Sequence, residues 1–290
     1  MAETPRVGII ANPSKEGAKE LLLELIRKFE SKAVEIVLED ESACFAGLEN
    51  GARFDSIAEQ VDLFVVLGGD GTILWVLRQL QERIKPIAAI NTGTLGFLTC
   101  AREHESRELV EAISTGNFEQ TDRVIIQGRF EMNGEVIEEF VGLNEVTLCR
   151  GVDSRVIHVE ASIDGKFANR YTGDGLILAT PTGSTAYSLS AGGPLIQPGS
   201  NVFAITPICP HTLANRPLVV SASSEVIFDA PEQRDDLSLL VDGQLVRSIS
   251  DPARIIMGPA DFSLPLISLP GQDFFGVLHR KMGWAGSTLG

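Results

Sequence analysis

Cations are scarce in this sequence. It carries 24 Lys and Arg against 39 Asp and Glu, a formal net charge of −15, and its pI is near 4.7. A basic face is the footprint of nucleic-acid binding, so the charge argues strongly against that class of partner. The same shortage argues against an anionic membrane surface. Long apolar runs are also missing, and none approaches the roughly 18 residues that a spanning helix needs. Residues 1–10 lack the basic start and apolar stretch of a targeting segment. We therefore expect a cytoplasmic protein with no membrane contact. The four cysteines, Cys44, Cys100, Cys149 and Cys209, stand far apart and form no Cys-x-x-Cys pair. They are expected to be buried, reduced thiols. The four histidines are equally scattered, which argues against zinc.

Two nucleotide signatures are absent as well. No Gly-Lys-Ser/Thr follows the glycine cluster Gly68-Gly69-Asp70-Gly71-Thr72, so it is not a P-loop. Leu74 stands where the dinucleotide fingerprint needs its third glycine, so that motif fails too.

What is present has a clear order. With 290 residues and 44% hydrophobic residues, two modest domains with ample cores are expected. Strand-like runs at 6–12, 33–38, 61–67 and 86–90 alternate with helical spacing at 16–30, 72–82 and 103–115. Ser14 is placed to cap the first helix, and residues 40–60 are ambiguous apart from a short helix near 51–59. This alternation predicts an α/β domain over 1–120, an open parallel sheet with helices on both faces. From 121 to 267 short alternating strands are punctuated by Asn133-Gly134, Asp164-Gly165 and Asp242-Gly243, each a hairpin signal. A β-rich, largely antiparallel domain is expected there. The tail has helical spacing over 272–281, and segment 268–290 is expected to return to the first domain.

Four stretches carry candidate chemistry. The 68–72 cluster follows a strand and opens a helix, at the sheet edge where ligands bind. Its glycines admit a close ligand and the helix N-terminus offers free N–H groups to an anion. Asp70 is at odds with that, since its charge repels phosphate unless a metal or a proton transfer explains it. The plain alternative is a tight turn. Asn144-Glu145 is the second: adjacent polar residues in a strand, at least one of which must face the interior or a cleft. The third is Thr172-Gly173-Asp174-Gly175 followed by residues 180–194, rich in hydroxyls. There Thr182-Gly183-Ser184-Thr185 could cap a helix starting near Ala186. A structural loop is the alternative. A serine hydrolase is disfavoured, because Gly-x-Ser-x-Gly is not matched and no histidine is near. The fourth is the proline-bounded segment 207–217, where His211 and Arg216 could point into a pocket.

Taken together, in order and over most of the chain, these stretches resemble the NAD kinase family. Residues 68–72 alone are shared with diacylglycerol and sphingosine kinases and phosphofructokinases. Asn144-Glu145 with Thr180-Pro181-Thr182-Gly183-Ser184-Thr185-Ala186-Tyr187-Ser188 is far more specific. The resemblance implies transfer of the ATP γ-phosphoryl group to the 2′-hydroxyl of the adenosine ribose of NAD. It implies Mg2+ or another divalent cation, with metal ligands unassigned, and a homodimer or homotetramer. Asp70 becomes the proton acceptor, with Gly68, Gly69 and Thr72 along the phosphate path. Gly71, Asn144, Glu145 and Asp174 would contact NAD, the last across a subunit boundary. Thr185, Ala186, Tyr187, Ser188, Leu189 and Ser190 would wall the adenosine pocket, and Arg155, Thr172 and Gln244 match looser family positions. Strict NAD users carry Arg where Thr172 stands, so use of both NAD and NADH is expected. A lipid kinase and a silent nucleotide-binding regulator are the rivals. The first would want an apolar or basic membrane element, and the second would be expected to lose Asp70.

Overall fold

A computed structural model describes residues 4–93, 96–151, 156–212, 214–231 and 237–284. Two compact units divide the chain, one formed by Met1–Asp122 with Leu264–Gly290 and the other by Arg123–Ser263. In the first, β1 (Val7–Ala11), β2 (Ile36–Leu38), β3 (Leu63–Gly68), β4 (Ile87–Asn91) and β5 (Ala101–Arg102) interleave with five helices. These are α1 (Ala18–Ser31), α2 (Asp40–Ala46), α3 (Phe54–Gln60), α4 (Asp70–Leu80) and α5 (Ser106–Thr115).

The strands lie in the order β2–β1–β3–β4, every neighbour parallel, with β5 also paired to β4. Alternation of side chains gives the sheet two apolar faces. Val7, Ile9, Leu63, Val65 and Leu67 meet Leu22, Leu25 and Phe29 of α1 and Leu109 and Ile113 of α5 in one core. On the opposite face Ile10, Phe64 and Val66 are equally buried, and α3 packs against α4. Parallel strands covered on both sides need no polar alternation, which is why β3 reads as an unbroken apolar run.

The second unit is antiparallel. Its elements are β6 (Glu119–Met132, starting before the boundary), β7 (Glu135–Gly142), β8 (Glu145–Arg150), β9 (Ile157–Ile163), β10 (Lys166–Gly173), β11 (Gly175–Ala179), α6 (Tyr187–Ser190), β12 (Val202–Ile208), β13 (Leu218–Ser221), β14 (Val226–Ala230), β15 (Leu237–Val241), β16 (Gln244–Ile249) and β17 (Ala253–Ser268). One sheet runs β13–β12–β11–β8–β15–β16, and another array pairs β10, β9, β14 and the first part of β17. Between them lies an apolar core that includes Phe130, Leu148, Leu178, Phe203, Phe228 and Leu239. All three expected hairpins form. Asn133, Asp164 and Asp242 take left-handed φ of 53°, 50° and 49°, the conformation that Asn and Asp tolerate best among residues with a Cβ. The last stretch of β17 lies parallel to β4, Leu266 opposite Ile87, and α7 (Phe274–Met282) follows.

Three expectations need correction. Ser14 does not cap α1: its amide and hydroxyl both donate to Asn12 Oδ1, and α1 starts after Gly17. The ambiguous 40–60 stretch holds two helices. The missed one, α2, is capped by Glu39, whose carboxylate accepts from the amides of Glu41 and Ser42 at 2.9 Å. Glutamate is an uncommon cap, so the sequence did not mark Glu39 as the residue before the helix. The cysteines are all free, but only Cys100 is buried; Cys44 and Cys209 are exposed and Cys149 is intermediate. Burial pushes the Cys100 thiol up to about 12. No helix among the described residues is long and apolar enough to cross a membrane.

Ser42 ties α2 to the sheet. Its hydroxyl donates to Glu39 Oε2 at 2.7 Å and accepts the Ala11 amide at 2.9 Å. Ser42→Ala strands a buried N–H and should cost about 1–2 kcal/mol. Urea unfolding should show a lower midpoint at unchanged slope.

Candidate active site

The 68–72 turn closes β3 and opens α4, with Asp70 as the first helical residue and Gly69 before it. Asp70 is clamped. Its Oδ2 accepts the Phe97 amide and its Oδ1 the Leu98 amide, both at 3.0 Å. The segment carrying those amides comes so close that a Cβ on Gly96 would lie 1.9 Å from Asp70 Oδ1. Only glycine fits there. Gly69 and Gly71 differ, since a Cβ on either would meet nothing within 4 Å. The turn therefore has open space beside a carboxylate of fixed orientation. Thr72 packs over Gly68, and its Oγ1 accepts from Asn12 Nδ2 at 3.2 Å. Sequence reasoning missed the clamp, because Gly96, Phe97 and Leu98 are 26–28 residues away and carry no titratable group. Thr94 and Leu95 of the same loop lie outside the described residues.

The second unit holds the other candidates. Asn144 and Glu145 lead into β8, and their backbone is gripped by Asp242 from the β15–β16 turn. Asp242 Oδ1 accepts the Asn144 amide at 2.7 Å and the Glu145 amide at 3.2 Å, and its Oδ2 accepts the Leu143 amide at 3.0 Å. In the sequence Asp242 signalled only a hairpin.

Glu145 is 4% exposed and its Oε2 has no hydrogen-bond partner among the described residues. Burial pushes its carboxyl up to about 8, and the negative Asp242 adds to the rise, while the Tyr187 backbone N–H opposes it. Glu145 is therefore largely protonated at neutral pH and can donate as well as accept.

Residues 180–193 are welded to this corner. Thr180 Oγ1 donates to Leu143 O at 2.5 Å, and the Thr180 amide to Asn144 O at 2.9 Å. A Cβ on Gly183 would sit 1.9 Å from Asn144 O. The expected capping by Thr182–Thr185 side chains does not occur. Gly183–Thr185 is a single 3-10 turn, α6 has four residues, and neither has a side-chain cap. The hydroxyls satisfy the loop itself: Ser184 bonds Pro181 O and the Ile196 amide, and Thr185 bonds Thr182 O. Ser188 is fully buried against Thr206 Oγ1 at 3.1 Å, so its side chain is taken up by the interior. Ala186 and Leu189 are half-buried, Ser190 is exposed, and Tyr187 is 45% exposed. The Tyr187 phenol is pushed up by burial first, then by Cys149, Cys209, Asp174 and Glu145, which gathers those groups around it.

Asp174 pairs with Arg150, Oδ1 to Nε 3.0 Å. Thr172 Oγ1 lies 2.9 Å from His158 Nδ1, and its carbonyl accepts the His211 amide. His211 and Arg216 are exposed, as is Gln244 at the start of β16. Arg155 lies outside the described residues. Asp70, Gly68, Gly69, Gly71 and Thr72 thus share one unit, while Asn144, Glu145, Asp174 and Tyr187 share the other.

A fixed carboxylate at a glycine turn in an α/β unit, and a buried glutamate with an unpartnered oxygen in a β-rich unit, fit the class of phosphotransferases that act on nucleotides without a P-loop. The ATP-NAD kinase N-terminal domain model matches residues 7–118 and the ATP-NAD kinase C-terminal domain model residues 143–269. The NAD kinase of Syntrophotalea carbinolica is 38% identical over 280 residues, covering 96% of this chain and 98% of that protein. That of Wolinella succinogenes is 36% identical, covering 98% and 97%. Among solved structures, an NAD kinase from Archaeoglobus fulgidus in complex with ATP superposes with a TM-score of 0.73 at 26% identity, covering 96% of this chain and 98% of that one. Yeast NADH kinase complexed with NADH gives 0.88 at 24% identity, covering 98% and 89%, and shows the shared fold. The chain belongs to the ATP-NAD kinase family: it is a kinase of NAD that uses ATP as phosphoryl donor.

The raised Glu145 has a stability consequence. Between pH 4.5 and about 8 the folded chain holds a proton that the unfolded chain releases, so this group's contribution is full below pH 4.5 and lost as pH rises through 8. Glu145→Gln keeps an acceptor for the Tyr187 N–H and removes the titration. The variant should gain on wild type by on the order of 1 kcal/mol or more between pH 5 and pH 8.5. Melting curves of both proteins at the two pH values measure it, and equal shifts would refute it.

Proposed function

We propose that Asp70 is the proton acceptor for the ribose 2′-hydroxyl in this NAD kinase. A hydroxyl attacks a phosphoryl group well only when its proton is accepted as the bond forms. The observation that carries this is the clamp from Phe97 and Leu98, which orients the carboxylate beside a turn with open space at Gly69 and Gly71. Each oxygen keeps a further lone pair for the incoming proton.

The first-turn amides of α4 and the glycine backbone supply donors to phosphate in a chain without a P-loop lysine. Among the described residues no three His, Cys, Asp or Glu side chains cluster as metal ligands. The divalent cation therefore fits as a companion of the ATP phosphates, part of that substrate, rather than as a resident of a protein cage.

In the acceptor site, Asn144 and protonated Glu145 hold the adenosine of NAD. The unpartnered Glu145 Oε2 is the group a ligand would satisfy. Tyr187, Thr185, Ala186, Leu189 and Ser190 line it, with Ser188 contributing backbone only. Asp174, Gln244 and Arg155 complete the contacts to NAD. The family resemblance also supports a cytoplasmic homodimer or homotetramer, which light scattering would measure.

Incubation with Mg-ATP and NAD, coupled to an NADP-specific dehydrogenase, tests the activity. Bound NAD without NADP would favour a silent regulator. Asp70→Asn should lower kcat by about 100-fold or more, the usual weight of general-base catalysis, with little change in KM for NAD. Turnover near wild type would remove Asp70 from the role.

Thr172 leaves room and neutrality at a position where an arginine would add a cation. Both NAD and NADH should be accepted, and Thr172→Arg should depress NADH use more than NAD use. Equal losses in kcat/KM would refute that.

A further inference from the structure

The join between β7 and β8 is short, since Gly142 ends one strand and Glu145 opens the next. Connecting backbone of this kind usually leaves its polar groups to water. Here every N–H and C=O of Leu143, Asn144 and Glu145 is engaged within the unit. Asp242 accepts the three amides, at 3.0, 2.7 and 3.2 Å, and its own amide donates to Glu145 O at 2.9 Å. Thr180 takes the other two carbonyls, its Oγ1 donating to Leu143 O at 2.5 Å and its amide to Asn144 O at 2.9 Å. One grip comes from the β15–β16 turn and the other from the chain after β11, so the join is held from two sides.

A hairpin turn does not require such a grip. Asp164 opens the β9–β10 turn in the same left-handed conformation, yet it accepts only from the Glu225 amide and Ser224 Oγ. The Asp-Gly pair alone serves the turn. The extra bonds of Asp242 therefore serve the join, and a charged acceptor makes them strong. With its backbone spent, the join can offer a ligand only side chains. These are half-buried Asn144 and buried Glu145, whose Oε2 has no partner among the described residues. Groups fixed beforehand cost a ligand little ordering on binding. Asp242 also acts through charge. Burial raises the Glu145 carboxyl and the negative Asp242 raises it further, which keeps Glu145 a hydrogen-bond donor at neutral pH. Tyr187 of α6 is the other titratable neighbour of Glu145, and Cys149, Cys209 and Asp174 gather about its phenol.

We propose that Asp242 and Thr180 are positioning residues for the acceptor: they act on NAD through the Asn144-Glu145 pair, whose backbone they lock from opposite sides. This rests on the reading above, in which that pair holds the adenosine of NAD.

Asp242→Asn keeps the size and the left-handed conformation, removes the charge and strands one amide. KM for NAD should rise about tenfold, the weight of one charge-assisted hydrogen bond, with KM for ATP unchanged. Affinity for NAD as a function of pH gives a second readout. In wild type it should fall as pH rises through about 8, where Glu145 loses its proton. The fall should begin at lower pH in Asp242→Asn, and Glu145→Gln should abolish it. Thr180→Val frees the Leu143 carbonyl and should raise KM for NAD several-fold, which keeps the test open if Asp242→Asn does not fold. Asp164→Asn is the control, a turn loosened elsewhere in the same unit. It should lower the melting temperature and leave KM for NAD unchanged. A wild-type KM for NAD in either Asp242→Asn or Thr180→Val would overturn the proposal, as would an equal rise in Asp164→Asn. If Asn144→Ala and Glu145→Ala both leave KM for NAD at the wild-type value, the acceptor reading itself fails. If they raise it and Asp242→Asn does not, only the positioning role falls.

Discussion

Two hydrogen bonds fix the carboxylate of the glycine turn, those from the Phe97 and Leu98 amides to Asp70. A free aspartate at a helix N-terminus would swing to cap its own first turn. Here it is drawn away to the chain after β4, and Gly96 exists because nothing larger fits under that carboxylate. Asp70 is thus fixed in direction yet keeps lone pairs, which a proton acceptor needs. Gly69 and Gly71 leave the adjacent space open.

The same use of acids recurs across the molecule. Asp242 grips three successive amides at 143–145, Glu39 caps α2, Asp164 holds the Glu225 amide and Asp273 the Gly276 amide. A chain with net charge −15 spends many carboxylates as acceptors for otherwise orphaned backbone N–H groups. The acidity of the chain is therefore partly structural. Glu145 is the contrasting case. Burial, with the negative Asp242 beside it, raises its carboxyl to about 8, so the protonated form is favoured at neutral pH.

Glycine serves two ends in these stretches. Gly69 and Gly71 leave open space, whereas at Gly96 and Gly183 an added Cβ would collide with the Asp70 carboxylate and the Asn144 backbone. The hydroxyls of 180–190, which read as a ligand-facing set, are mostly turned inward. Ser184 and Ser188 are fully buried and bonded. What that segment presents outward is backbone, Tyr187 and small side chains.

Much of this was legible in the sequence. Unbroken apolar runs such as β3 announced a sheet covered on both faces, and Asn133, Asp164 and Asp242 announced hairpins, because both signals are local. The resemblance to the family was legible for the same reason: Gly68–Thr72, Asn144-Glu145 and the 180–188 segment are short stretches of adjacent residues that stand in the family's order. Helix α2 was not legible, since its cap is a glutamate, and neither was the inward turn of Ser188, which depends on Thr206, 18 residues away. By itself the sequence determined fold class, family and which residues could act. Only the tertiary structure decided what state they act in: the orientation of Asp70, the protonation of Glu145 and the locking of the 143–145 backbone from two sides. Those depend on burial and on groups brought together from far along the chain, and no local pattern encodes them.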